Sequence, residues 1–192
     1  MWILCNVVLW RMDFLKRRTM ALPQVKDVPA EKWAPVEHRF RFVKDDGGRH
    51  GAGFQGTAGD CVTRAIAIAT GLRYREVYDE LMRRSREYRD TRRTRTARAM
   101  KRRGSRGVSP RDGVHKEVYK QYLIDLGWEW TPTMAIGQGC TVHLRVDELP
   151  PGGPLIVSVS RHLTVVNNGA LYDMHDPTRM GTRCVYGYWR RG

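Results

Sequence analysis

The sequence predicts an α+β fold, with helices first and an antiparallel β-sheet after them. Three observations carry this. Apolar residues recur at helical spacing in three segments between residues 61 and 127. From Trp128 the pattern changes to short strand-like runs: WEWTPTM, PLIVSVS, HLTVV, ALYDM and CVYGYW. NNG separates HLTVV from ALYDM and is a hairpin turn signal. Helices followed by strands belong to a segregated α+β layout.

Residues 1–53 read as an N-terminal arm, partly flexible. Its apolar run, Trp2 to Trp10, is too short to span a bilayer. The run lacks the basic start and small-residue cleavage site of a signal peptide. It reads as a short buried strand or, in preference, as an over-extended gene start with Met20 as the true first residue. A surface anchor aided by Arg11, Lys16, Arg17 and Arg18 is the third reading. Pro23, Pro29 and Pro35 keep the arm extended, with one strand in HRFRFVK.

Residues 54–192 read as one folded domain. Residues 61–70 form an apolar, central helix closed by Gly71. YREVYDELMRRSREY carries Tyr74, Val77, Tyr78 and Leu81 on one stripe, which makes a second helix. GVHKEVYKQYLIDLG is the third, with Val114, Val118 and Tyr122 inward and Gly127 as its stop. Between the second and third helices lies a basic insertion, 89–111, in which Asp90 is the only acid. Such a run reads as a solvated, mobile loop. Equally, it reads as an arm that contacts nucleic acid or another polyanion non-specifically through Arg89–Arg111. It has no aromatic residue for base stacking.

The whole chain carries 34 Lys+Arg against 20 Asp+Glu, a formal charge of +14, which favours polyanionic partners but says nothing of fold. Four cysteines without a CxxC pair argue against a zinc site. They fit a reducing, cytoplasmic setting without disulfides.

One cysteine stands apart. In FQGTAGDCVTRAIAIATG, Cys61 opens the central helix, where a thiol loses its proton more readily. A nucleophilic thiol needs a base and a group to orient that base. His162 opens HLTVV. With Asn168 and Gly169 in the turn, Val166 faces Leu171 and His162 faces His175, so His162, Asp173 and His175 share one face of the hairpin. Asp173 is diagonal to His162 and is preferred as its partner. A bulge or a different turn would substitute Asp176. His175 is the weaker alternative as base, and His115 and His143 read as ordinary surface or structural histidines. Trp128 and Trp130 read as core, and Cys140 as structural. Asp60 has two readings: pointing inward it would raise the thiol pKa, and as an N-cap it would turn to the helix amides.

Gln55, six residues before Cys61, then His162 and an acid on the next strand, resemble in order the papain-like cysteine peptidases. HLTVVNNGALYDMHDP is similar to the His-to-Asp-Pro segment of the C39-like peptidases in that superfamily. The resemblance spans Phe54 to Pro177. It implies a papain-like fold, with the Cys on a central helix packed on the C-terminal sheet. It also implies a thiol-dependent hydrolase of a peptide or protein substrate, with no cofactor or metal. Cys61 would attack, His162 carry the proton, Asp173 or Asp176 orient the imidazole, and Gln55 with the Cys61 amide hold the oxyanion. Asp60 and Val62 depart from the usual Ser and aromatic neighbours of the nucleophile. The competing expectations are an inactive scaffold of this fold that binds nucleic acid through its basic arm, and a transferase that passes the acyl group to an amine.

Overall fold

The structure is a computed structural model that describes residues 35–192, which belong to one unit, Glu31–Gly192. The readings placed on residues 1–34, from the apolar run to Pro29, lie outside the described residues. Four helices and a six-stranded sheet follow in chain order. They are β1 (Arg41–Lys44), α1 (Cys61–Thr70), α2 (Tyr74–Thr91), α3 (Arg95–Arg102) and α4 (Lys116–Asp125), then β2 (Trp128–Pro132), β3 (Leu155–Val159), β4 (His162–Asn167), β5 (Ala170–Asp173) and β6 (Val185–Arg191).

The sheet order is β1-β5-β4-β3-β6-β2. All neighbours are antiparallel except β1 and β5, which run parallel, so the expected antiparallel sheet is a mixed one. The cause is long-range. The segment read as an arm enters the sheet edge before any helix, with Phe42 opposite Leu171. Parallel neighbours need a long crossover, and here all four helices lie within it.

β3 sits centrally, and its sequence LIVSV shows why. Leu155, Val157 and Val159 are buried on one face, while Ile156 is buried on the other. The first face is covered by Leu144, Leu149 and their loop. The second packs against α1, α2 and α4 through Ile66, Val77, Leu81 and Leu123. Trp128 and Trp189 join this helical core, as expected for Trp128. Gly187 lies beneath Trp130, where a Cβ would overlap the indole, so only glycine fits there.

α1 has the expected bounds, and Gly71 closes it at φ 72° with its N–H on the Ala67 carbonyl. The basic insertion departs from expectation. It is folded: α2 runs on to Thr91 and α3 follows, its N-cap Thr94 accepting from the Ala97 amide at 3.1 Å. Ala97 and Met100 are fully buried. Gly107 lies so close to the Met100 backbone that a Cβ would overlap it. Two apolar residues at i and i+3 therefore anchor a helix that charge density alone presents as loop.

Cys140 and Cys184 are disulfide-bonded, with Cα atoms 5.7 Å apart. This corrects the expectation of four reduced thiols and agrees with a structural reading of Cys140. Cys61 is free. No helix among the described residues is long and apolar enough to cross a membrane.

If α3 is a packed element, truncating its anchor must cost stability. Met100→Ala is expected to lower the unfolding free energy by about 2–4 kcal/mol. Urea denaturation measures this directly, and an unchanged midpoint would mean that the insertion contributes no packing.

Candidate active site

The local order of the site begins with Asp60, the residue before the thiol. Its side chain is wholly buried and carries no N-cap hydrogen bond. It is ion-paired instead: Arg49 Nε lies 3.0 Å from Oδ2, and Arg64 Nη1 donates to Oδ1. The Tyr74 hydroxyl donates to Oδ2 at 2.5 Å. Burial and this bond to a carboxylate push the Tyr74 phenol well above its ordinary value. Asp60 thus points inward, but two guanidinium groups oppose its charge.

The glycine-rich segment DDGGRHGAG delivers Arg49. Asp45 accepts from the Gly47 amide at 2.8 Å, and Asp46 from the Gly48 and His50 amides at 2.9 and 2.8 Å. Gly47, at φ 64°, packs against the Arg64 backbone, where a side chain would crowd α1.

Cys61 sits half-buried at the first position of α1. It shares a cleft of about 500 Å³ with His162. Gly59, Asp112, Lys116, Arg161 and Tyr186 also line it. His162 opens β4 after a two-residue turn, Ser160–Arg161, in which Arg161 adopts φ 57°. Arg183 donates to the Ser160 carbonyl at 2.7 Å and steadies that turn.

His162 Nε2 is 2.6 Å from Asp173 Oδ2, which leaves Nδ1 for the sulfur. Asp173 is buried, and its Oδ1 accepts from the Met174 amide at 2.7 Å. Arg64 Nη2 lies 3.8 Å from the same oxygen. Arg64 therefore spans the two carboxylates, one beside the Cys61 thiol and one behind the imidazole.

The hairpin register explains this placement. Val166 faces Leu171 as expected, but pairing stops at Val165–Tyr172, so His162 and His175 do not pair. Asp173 lies diagonal to His162 and reaches it. Asp176 is exposed and accepts from the Thr178 amide at 2.8 Å instead, and His175 is exposed as well.

Gln55 is not brought into the cleft. It is exposed, its carbonyl accepts from Arg49 at 3.0 Å, and it is not among the cleft-lining residues. The loop turns at Gly53 and Gly56, both at positive φ, and Arg111 holds the Thr57 carbonyl at 3.3 Å. His115 lines the cleft, and His143 lies 3.1 Å from Glu148. A larger recess of about 680 Å³ lies elsewhere, between the glycine-rich segment and the end of α1; no thiol or imidazole lines it.

Charge at the thiol follows from this geometry. Burial alone would raise the Cys61 pKa. The hydrogen bond to His162 and its charge, the Leu163 amide and the charge of Arg64 together outweigh burial and hold it below the ordinary value. Burial also opposes protonation of His162. Asp173 and the Cys61 sulfur overcome that and raise its pKa to about 9. Both shifts act in one direction: they favour the ionised form of the thiol and the protonated form of the imidazole. Sequence reasoning passed over Arg64 and the Asp60 network. The signal was the i, i+4 spacing of Asp60 and Arg64 on one helix face.

Compared with models of protein families, with curated proteins and with solved structures, the chain matches none.

Two outcomes follow from the charge arrangement. Asp60→Ala leaves Arg49 and Arg64 without their buried partner and is expected to cost about 3–5 kcal/mol in urea denaturation. The alkylation rate of Cys61 against pH is expected to rise through a midpoint below that of an ordinary thiol, about 8.5. The rate should then change again near pH 9, where His162 loses its proton. In His162→Ala the upper inflection disappears and the lower one moves up. The His162 proton also stabilises the fold: it is held more tightly there than in the unfolded chain, where the pKa is about 6.5. That contribution is complete below pH about 6.5 and is lost as pH rises through about 9. An alkylation profile identical to that of a free thiol would refute the pairing.

Proposed function

We propose that this chain is a thiol-dependent hydrolase of the papain-like kind, cleaving a peptide or isopeptide bond through Cys61, His162 and Asp173. One observation carries the reading: a free thiol at a helix N-terminus shares a cleft with an imidazole whose far nitrogen lies 2.6 Å from a buried carboxylate. Nucleophile, base and orienting group stand in the order that acyl transfer requires.

In the proposed reaction the Cys61 thiolate adds to the substrate carbonyl carbon. The developing oxyanion is met by unpaired amides at the N-terminus of α1, the Cys61 N–H foremost. His162 gives its proton from Nδ1 to the leaving amine as the C–N bond breaks and a thioester forms. Water then attacks the thioester, His162 takes its proton, and the acid leaves with the thiol regenerated. Asp173 holds the imidazole by its Nε2–H throughout. Gln55 lies too far out on its loop to be given the oxyanion role that the resemblance implies. No metal or cofactor enters these steps.

The test is labelling with an electrophilic peptide, such as an acyloxymethyl ketone, followed by mapping of the modified residue. Cys61 is expected to be modified, and His162→Ala to slow the reaction at least 10²-fold. Asp173→Asn should slow it less, because the imidazole stays in place. Gln55→Ala should change it no more than a few-fold, whereas an oxyanion donor would cost about 10²–10³-fold in turnover. Modification confined to other residues, or a Cys61 rate indifferent to His162, would dismiss the hydrolase reading.

A further inference from the structure

The basic insertion offers a surface independent of the cleft. Between Arg92 and Arg106 stand eight cations, seven arginines and Lys101, with no acidic residue among them. All eight are exposed. None forms an ion pair or a side-chain hydrogen bond among the described residues, although Lys101 acts on Asp90 through its field. The contrast with neighbouring α2 is instructive. There Arg83 pairs with Glu80 and Glu87, Arg84 with Glu80 and Asp125, and Arg89 with Asp90. The chain has acids to neutralise its arginines, and it leaves this group without them.

The fold also holds these cations in order. On α3, Arg95, Arg98 and Arg102 follow i, i+3, i+7 spacing and share one face. Ala97 and Met100 occupy the opposite, buried face. The three guanidinium groups therefore project from about 10 Å of anchored helix. Arg92 and Arg93 extend the patch before α3, and Arg103 and Arg106 extend it after.

We propose that this face, residues 92–106, docks the phosphate backbone of a nucleic acid without reading its sequence. The chemistry selects that partner. Guanidinium matches phosphate in a planar, bidentate fashion, and arginine outnumbers lysine seven to one here. A lipid surface would call for apolar side chains beside the charges, and the large exposed apolar residues of the described chain all lie outside 92–106. The same lack leaves a protein partner without an apolar anchor. With no aromatic residue in the segment, bases have nothing to stack on.

The proposal does not rest on the hydrolase reading, and its test uses the full chain carrying Cys61→Ser, so the two can fail separately. Fluorescence anisotropy with a labelled 20-nucleotide oligothymidine, and with a duplex of equal length, is followed from 50 to 300 mM KCl. Binding to both is expected, with log K falling linearly against log salt. In the triple variant Arg95→Gln, Arg98→Gln, Arg102→Gln, the slope should become shallower by about two to three, at 0.7–0.9 per phosphate lost. Circular dichroism checks that the variant keeps its helices, and Met100→Ala, which leaves every charge, should reduce the slope far less. No binding at 50 mM KCl overturns the proposal. So does a slope that the triple variant leaves unchanged. Phosphatidylserine vesicles that bind as tightly as the oligonucleotides, with the same dependence on the three arginines, would assign the face to membranes and overturn it too.

Discussion

Everything around the thiol depends on one buried carboxylate. Asp60 has no access to solvent, and Arg49, Arg64 and Tyr74 converge on it. An isolated carboxylate in such a place would cost several kcal/mol and would be driven to neutrality. The three partners come from three segments: the glycine-rich loop, α1 and α2. Asp60 therefore fixes where the chain enters α1, and the first helical residue is Cys61. A conventional N-cap would have satisfied one amide and left the loop and α2 without a common point of attachment.

From that carboxylate a file of alternating charges crosses the molecule. Asp60 is followed by Arg64, then Asp173, then His162, then the Cys61 sulfur. Each member is held between opposites. Such an order favours the ionised thiol and the protonated imidazole beside each other. It also explains why one arginine sits between two acids. Without Arg64 the two carboxylates would share the same region unscreened.

Much of this was legible from residue order alone, and the exceptions have physical causes. The central helix was readable because its apolar residues and Gly71 mark both its content and its end. The β4–β5 hairpin was readable because a two-residue turn fixes register, and register fixes which side chains face one another. Pairing ends early, however, so Asp173 reaches His162 diagonally while His175 drifts to solvent. Three features were not legible. β1 joins the sheet in parallel, across a crossover that no local pattern encodes. α3 hides because eight cations mask two buried anchors, Ala97 and Met100. Gln55 keeps its sequence offset from Cys61, yet it is exposed on a loop that turns at two glycines of positive φ and does not line the cleft, and spacing cannot report that.

The disulfide has a topological meaning. Cys140 and Cys184 are 44 residues apart, and the span between them contains β3, β4 and β5. His162 and Asp173 therefore lie on a covalent circle, while Cys61 lies outside it. A peptide bond cut anywhere within that circle leaves both halves of the cut chain attached to each other through sulfur. His162 and Asp173 then remain parts of one molecule even after the backbone between them is broken. A cut between Cys61 and Cys140 has the opposite effect, because only non-covalent packing then holds Cys61 to His162 and Asp173.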